Sequence, residues 1–526
     1  MQEVIDYIGL VLYVGMRGGC NVVRFVIALC ICVFSACSPP APRKDLQEVR
    51  INLGTELTTL DPRKSRELQG VTVLRMLFDG LMRLDSEDRP EGAIAERVDI
   101  AEDKQTYTFH LRASFWTNGD PVTAEDFSCA WKKALDPAYP SSQAFLLYAI
   151  KNARLVKQGK LSTQELGINV LDEHTLEVIL EEPTAHFLQL TTLPIFFPVN
   201  HKVSRVNERW ADQVSTYVSN GPFLLKEWRD HDCITVAKNP EYWDAEAVQL
   251  DQIHLVMVND ASTELQMFEK KELDWAGSPL SVLPFDALKE LQGNQQLREK
   301  PLLGTCFIRL NLNKAPFDRV DIRRAFGLAL DRQGMIDHAI PATGLIPCSF
   351  AIQNKPYFQE GIREILGHRC PKVTLTYPSS ENGHLLAQAI QQQWRENLGV
   401  VVTLEALEQK VYYARLAKQD FELILSSWIA DFGDPMNFLE VFKYREGPNQ
   451  TSWENVHYIG LLEQAKSALT SRERYQALQA SEDLLMQEMP IIPLFHYTML
   501  YLQDERLEDV RISSLGSLDF KHARKK

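Results

Sequence analysis

Between Val373 and Asp431, short apolar runs alternate with stretches of helical spacing, and this alternation restricts the fold more than any other feature of the chain. Val373 to Tyr377, Val400 to Glu405 and Phe421 to Leu425 have strand length and composition, and Leu385 to Asn397 and Val411 to Gln419 read as helices between them. Parallel strands need crossovers of this kind, so the segment predicts a mainly parallel sheet inside an α/β unit spanning residues 304 to 495. The same unit should open with a strand from Cys306 to Asn311 and a helix from Asp321 to Asp331. It should close with one helix from Leu461 to Met489, stopping before Pro490. The last strand is cut off by Gly433-Asp434-Pro435 and is expected to end at Asp431. Ligands in open α/β sheets sit at strand ends, and this one carries Trp428 three residues before a carboxylate. Two readings fit those residues: Asp431 meets a cation in a dry cleft, or it caps the turn while Trp428 packs in the core.

At 526 residues the chain exceeds the roughly 250–300 residues that one core can organise, so two or three domains are expected. Ahead of the α/β unit, a strand from Val49 leads into a helix over Val71 to Phe78. Residues 81 to 199 then alternate strands such as Thr106 to Leu111 and Thr175 to Leu180 with a helix opened by Thr123-Ala-Glu-Asp126, a capping box in spacing. In the first of those strands Tyr107, Phe109 and Leu111 share a face, which puts His110 on the outside. Trp116, placed by a turn at Asn118-Gly119, should pack. Ile253 to Val258 reads as a buried strand, and Phe495 to Leu502 and Val510 to Phe520 return the chain to its first lobe. Segments that cross between lobes more than once form a hinge with a cleft beside it.

The net charge of −14 and the lack of any basic block before the tail His522-Ala-Arg-Lys-Lys526 exclude nucleic acid as a partner. No Ser elbow, phosphate loop or dinucleotide fingerprint occurs, so no catalytic residue is assigned and no enzyme is expected. The twelve histidines and nine cysteines show no metal-ligand spacing, so neither metal nor cofactor is expected. Four cysteines fall in the first 37 residues. Of the other five, Cys348 and Cys370 are the fairly close pair, and free buried thiols are the simpler reading.

Residues 1 to 37 read as an export signal. Met1-Gln-Glu-Val-Ile-Asp6 is acidic where a signal should be basic, whereas Arg17 and Arg24 precede the apolar Phe25 to Phe34, which points to Met16 as the start. That run is too short to cross a bilayer. It ends at Phe34-Ser-Ala-Cys37, which is similar to a bacterial lipobox with Phe34 in place of the usual leucine. Cys37 would then be lipidated, with Ser38-Pro-Pro-Ala-Pro42 as a stiff tether to a membrane surface.

Trp428-Ile-Ala-Asp431 continues through Asp434-Pro435 to Asn437-Phe438, and this W-x-x-D-x-x-D-P-x-N-F segment resembles that of bacterial family 5 solute-binding proteins, the oligopeptide- and dipeptide-binding subunits of ABC importers. Further segments follow in family order: Leu60-Asp61-Pro62, Tyr107 to Arg112, Pro121 to Phe127, Ser219 to Lys226, Asn239 to Trp243, Ala315 to Ala325 and Ala329 to Arg332. The resemblance implies an α/β, two-lobe periplasmic-binding-protein-like fold with an additional smaller domain, hinged around a central cleft. On this reading 1–37 is the signal peptide. Residues 38–78, 200–303 and 496–526 form lobe I, 79–199 the inserted smaller domain, and 304–495 lobe II.

It implies also a monomeric, membrane-anchored lipoprotein outside the cytoplasm that hands a short peptide to a permease and ATPase pair. Asp431 would take the peptide α-ammonium, with Trp428 and Phe307 as wall. Relatives often carry a basic residue for the peptide carboxylate ahead of the tryptophan, where this chain has Leu423, Ile424 and Leu425. Arg309 can serve instead or remain solvated. His384 stands near a cleft histidine of relatives or caps a helix at the surface, Gln409 replaces a common cleft aromatic, and Trp394 looks like helix core. The altered carboxylate end leaves murein peptide, haem, nickel chelate or sugar as rival ligands, and a surface enzyme or adhesin as a rival class.

Overall fold

The computed structural model describes residues 46–65, 67–333, 339–347, 372–445, 447–468 and 470–526. The expected leader, Cys37, Cys348 and Cys370 lie outside the described residues.

One eleven-stranded sheet runs through the body. In spatial order its main path is Val401–Leu407, Lys372–Pro378, Leu423–Ile429, Arg298–Leu310, Ile491–Gln503, Trp275–Gly277, Glu48–Asn52, Gln252–Val256, Cys233–Lys238 and Phe223–Arg229. Lys372–Pro378 pairs in parallel with both Val401–Leu407 and Leu423–Ile429, and the helices Glu381–Leu398 and Gln409–Ala417 are the crossovers. The alternation in the sequence anticipates this unit. Ser380 accepts the Gly383 N–H at the start of the longer helix, and Gly399 ends it at φ 67°, a conformation that glycine adopts without a Cβ clash. Trp394 is fully buried on that helix, as its spacing predicts.

Arg298–Leu310 and Ile491–Gln503, of 13 residues each, lie side by side in the middle of the sheet and join its two halves. Their antiparallel register is regular from Arg298 opposite Tyr501 to Pro301 opposite Thr498, breaks, and resumes at Thr305 opposite His496. At the break the Leu303 N–H leaves the ladder for the Ser514 carbonyl at 2.7 Å, and the Leu303 carbonyl accepts from Ala430 at 2.8 Å. On one side of the break the pair continues into Trp275–Gly277, and on the other into Leu423–Ile429. The two halves of the sheet are therefore joined through irregular pairing, where strands bend most easily.

Alternation along the first long strand divides the apolar cores. Cys306, Ile308 and Leu310 face Leu375, Ile390 and Trp394, whereas Leu303 and Phe307 face Phe442, Tyr458 and Leu478 on the other side. A third core unites Val49, Ile51 and Ile253 with Phe109, Trp131 and Phe187. The segment between residues 95 and 179 has its own four-stranded sheet, ordered Ala95–Ile100, Thr106–Leu111, Thr175–Ile179, Ile168–Asp172, yet shares that third core. Tyr107, Phe109 and Leu111 are buried, and His110 turns outward to bond Asp99 at 2.8 Å. The capping box at Thr123 and Asp126 forms, and Trp116, 1% exposed, donates its indole N–H to Asp126 at 3.1 Å. Cys129, Cys233 and Cys306 are free thiols.

Two expectations need correction. The helix expected over Leu461 to Met489 is two helices, Val456–Ser467 and Ser471–Glu488. Thr470 and Glu473 form a capping box that starts the second, a local signal stronger than the helical spacing running across it. The strand expected to reach Asp431 ends at Ile429, because Ala430 has already turned to the Leu303 carbonyl and the Asp431 N–H is taken by the side chain of Asn437 at 3.2 Å.

Candidate functional site

The chain leaves the sheet after Ile429 and is gathered around one side chain. Asn437 Oδ1 accepts the Trp428 indole N–H at 2.8 Å and the Asp431 backbone N–H at 3.2 Å. The amide of Asn437 also hydrogen-bonds the Asp431 carboxylate. Asp434 accepts the Met436 N–H at 2.8 Å, closing the turn, and pairs with Arg474 at 2.7 Å. The two aspartates of the segment thus differ in work. Asp434 fastens the turn to the helix Ser471–Glu488, whereas the Asp431 carboxylate is left facing outward from the turn.

It faces a cavity of about 920 Å³. One wall comes from Trp428, Asp431 and the segment reaching Arg474, and the other from the smaller domain, including Tyr148, Arg154 and His186. The walls meet where Lys466 bonds both Glu182 of the smaller domain at 2.7 Å and Glu440 at 3.0 Å. Burial opposes charge on Lys466, but Glu440 and Glu182 outweigh it and hold its pKa above the ordinary value. The His186 ring stacks on Phe432 at 4.3 Å and 8° between planes.

Burial pushes the Asp431 carboxyl above the usual carboxylate range, and the Asn437 hydrogen bond pulls only partly the other way. No ion pair with Asp431 occurs among the described residues. Four cationic side chains line the same cavity. Lys443 is paired with Glu463, Lys466 with Glu182 and Glu440, and Arg474 with Asp434. The fourth, Arg154, is exposed and has no ion pair among the described residues. His186 Nδ1 and Arg474 Nε are buried without a hydrogen-bond partner. The unpaired Asp431 carboxylate suits a polar ligand with a positive end, and the unmet Arg474 N–H suits an oxygen acceptor.

Of the residues expected in a site, Trp428 and Asp431 come together here, and four others do not. Phe307 is 0% exposed and packs edge-on to Phe442 at 6.0 Å between ring centres, so it belongs to the core and not to the wall. Arg309 is neither solvated nor in the cavity. It is 3% exposed, donates to Ser426 Oγ at 3.1 Å and to the carbonyls of Pro448 and Asn449, and lies behind Pro448, which does line the cavity. Burial lowers its pKa to about 10. His384 is exposed and bonds Tyr377 Oη at 2.7 Å, and Gln409 is the exposed first residue of its helix. Neither lines the cavity. Asn437 went unassigned although it sits inside the motif, and the residues of the smaller domain carry no local signal of their part in the wall.

The profile described as bacterial extracellular solute-binding proteins, family 5 Middle, matches residues 89–450. The chain belongs to this family. Solute binding outside the cytoplasm is what defines the family, and the α/β architecture with its cavity between a smaller domain and the second lobe is the two-lobe periplasmic-binding-protein-like fold. The family 5 chain is 35% identical over 501 residues to the oligopeptide-binding protein OppA of Bacillus subtilis (strain 168), covering 90% of this chain and 92% of the relative. It is 34% identical over 500 residues to the dipeptide-binding protein DppE of the same organism, covering 90% and 91%. Among solved structures it is similar to the unliganded open form of the murein tripeptide-binding protein MppA, with a TM-score of 0.79 at 27% identity over 91% of this chain and 98% of the other. It is similar also to Listeria monocytogenes OppA bound to peptide, with a TM-score of 0.73 at 29% identity over 92% and 100%.

Proposed function

We propose that this chain is the peptide-binding subunit of an ABC importer, capturing short peptides in the interlobe cavity and delivering them to a membrane permease and its ATPase. The observation that carries the reading is Asp431: a carboxylate raised in pKa by burial, held in place by Asn437, unpaired among the described residues, and facing a cavity of about 920 Å³. A peptide α-ammonium supplies the missing charge through a charge-assisted hydrogen bond. The cavity is within the range of roughly 300–1,000 Å³ typical of small-ligand sites. The peptide-binding relatives support the same ligand class.

The opposite end of the peptide falls to Arg154, the lining cation that no described acid neutralises, which replaces the basic residue absent from Leu423 to Leu425. Lobe I is taken as residues 38–78, 200–303 and 496–526, the smaller domain as 79–199 and lobe II as 304–495, hinged on the two long strands. Lipidation of Cys37 would tether the monomer to the membrane surface. Calorimetry with short free peptides tests the assignment. Asp431→Asn should bind at least about thirtyfold more weakly, since losing one partner of a buried pair costs about 2 kcal/mol or more. N-acetylated peptides should bind both forms poorly. Equal binding of free peptide by the variant would remove Asp431 from the site.

A further inference from the structure

A second cavity, of about 580 Å³, shares no residue with the peptide cavity and lies against the helix Leu68–Leu77, both long strands and the C-terminal segment. Arg75, in the last turn of that helix, lines it and is 5% exposed. Its Nε is buried with no hydrogen-bond partner, and no ion pair with Arg75 occurs among the described residues. The acids near it are committed elsewhere. Asp79 and Asp519 are both bonded by Arg83, the latter at 2.8 Å. Of the other lining acids, Asp85 is held by Arg89 at 3.0 Å, Asp88 accepts the Ser514 N–H at 2.8 Å, and Asp509 pairs with Arg524 at 3.2 Å. The other lining cations are likewise engaged, Lys300 by the Ile512 carbonyl and Arg511 by Glu91 at 3.3 Å. Burial lowers the Arg75 pKa only to about 10, so the guanidinium is charged at neutral pH.

An interior cation kept charged with an N–H unmet is costly unless something supplies oxygen acceptors. We propose that this cavity is a second binding site, for a small oxyanion, with the Arg75 guanidinium as its anchor. A guanidinium presents parallel donors that match two oxygens of a carboxylate or a phosphate, and Ser86 and Tyr501, which line the same space, carry hydroxyls as neutral donors, whereas the Ser513 and Ser517 hydroxyls bond each other at 2.9 Å. Ion pairs of Asp85, Asp509 and Asp519 with arginines reduce their repulsion of an incoming anion, and Asp88 is turned to the Ser514 N–H.

Calorimetric titration of the whole chain with inorganic phosphate and, separately, with succinate at low ionic strength tests this. Saturable one-site binding of at least one probe is expected, and which of the two binds separates phosphate from carboxylate as the occupant. Arg75→Gln should weaken it about tenfold or more and Arg75→Lys by less, with unchanged peptide binding in the other cavity as the check on folding. Because substitution of a buried arginine can itself unfold the chain, hydrogen exchange on the wild-type chain provides the independent readout. The bound anion should protect residues 75–86 and 513–519. Absence of saturable binding of either probe, equal binding by a folded Arg75→Gln, or protection confined to other residues would each overturn the assignment.

Discussion

Asp431 is a cost to the empty protein. Its folded-state pKa lies above its unfolded value because burial disfavours the charged form, so the stabilising contribution of the protonated form is lost as pH rises through the folded pKa. At neutral pH the ionised group therefore destabilises the unliganded chain, and a ligand ammonium reverses that. Asp431→Asn should melt at a higher temperature than wild type without peptide and gain less than wild type on adding the same concentration of peptide. Differential scanning calorimetry with and without ligand reads both, and a lower melting temperature for the empty variant would contradict the burial argument. The raised pKa also sets a pH window: peptide affinity should start to fall, as pH drops, above the ordinary carboxylate range, and Asp431→Asn should lack that limb. Asn437 is 7% exposed and satisfies an indole N–H, a backbone N–H and the carboxylate together. Asn437→Ala orphans all three, and a loss of about 1–3 kcal/mol in urea denaturation is expected, together with weaker peptide binding. The sequence brought Trp428 and Asp431 together because they lie three residues apart in one motif, but it gave no role to Asn437, whose bonds to both appear only in the folded turn. Phe307 and Arg309 were misplaced for a reason of depth: the core around Phe442 and the segment at Pro448 stand between them and the cavity, and one-dimensional pattern does not record what covers a strand.

At the scale of elements, the site wall that carries Asp431 is fastened to one helix. Thr470 begins Ser471–Glu488, and Arg474 on its first turns reaches back to Asp434 and so holds the turn that carries Asp431. Thr470→Ala removes the cap and should cost about 1 kcal/mol in chemical denaturation while leaving peptide affinity within about twofold, since the Arg474 pair survives. A large loss of affinity would mean that the helix start itself sets the site geometry. Elements with a local signature, such as the parallel strands, their crossovers and the capping box at Thr123, were readable from the chain alone. The long strand Arg298–Leu310 was seen only from Cys306, because Arg298-Glu-Lys-Pro301 is polar and contains a proline, which argues against a strand unless the partner supplies the order. Here the partner is Ile491–Gln503, nearly two hundred residues away.

For the whole molecule, function requires the two walls to close and reopen, and the bonds between them set how easily. Lys466 is the link: it bonds Glu182 on the smaller domain and Glu440 on its own lobe, with the side chains of Lys466 and Glu182 21% and 48% exposed. A pair this open to water contributes little to folding, about 1 kcal/mol at most, so its main effect is on the separation of the walls. Glu182→Lys sets two ammonium groups against each other while Lys466 keeps Glu440, which leaves the lobe intact and disfavours approach of the smaller domain. Peptide affinity should fall about tenfold, mainly through faster release, and the deficit should shrink at high salt because exposed charges are screened over roughly 10 Å at 0.1 M. Solution scattering should then show less compaction on adding peptide than in wild type. Unchanged release rates at low salt would mean that the contact between Glu182 and Lys466 plays no part in retaining the ligand, and that closure rests on the stack of His186 on Phe432 and on the peptide itself.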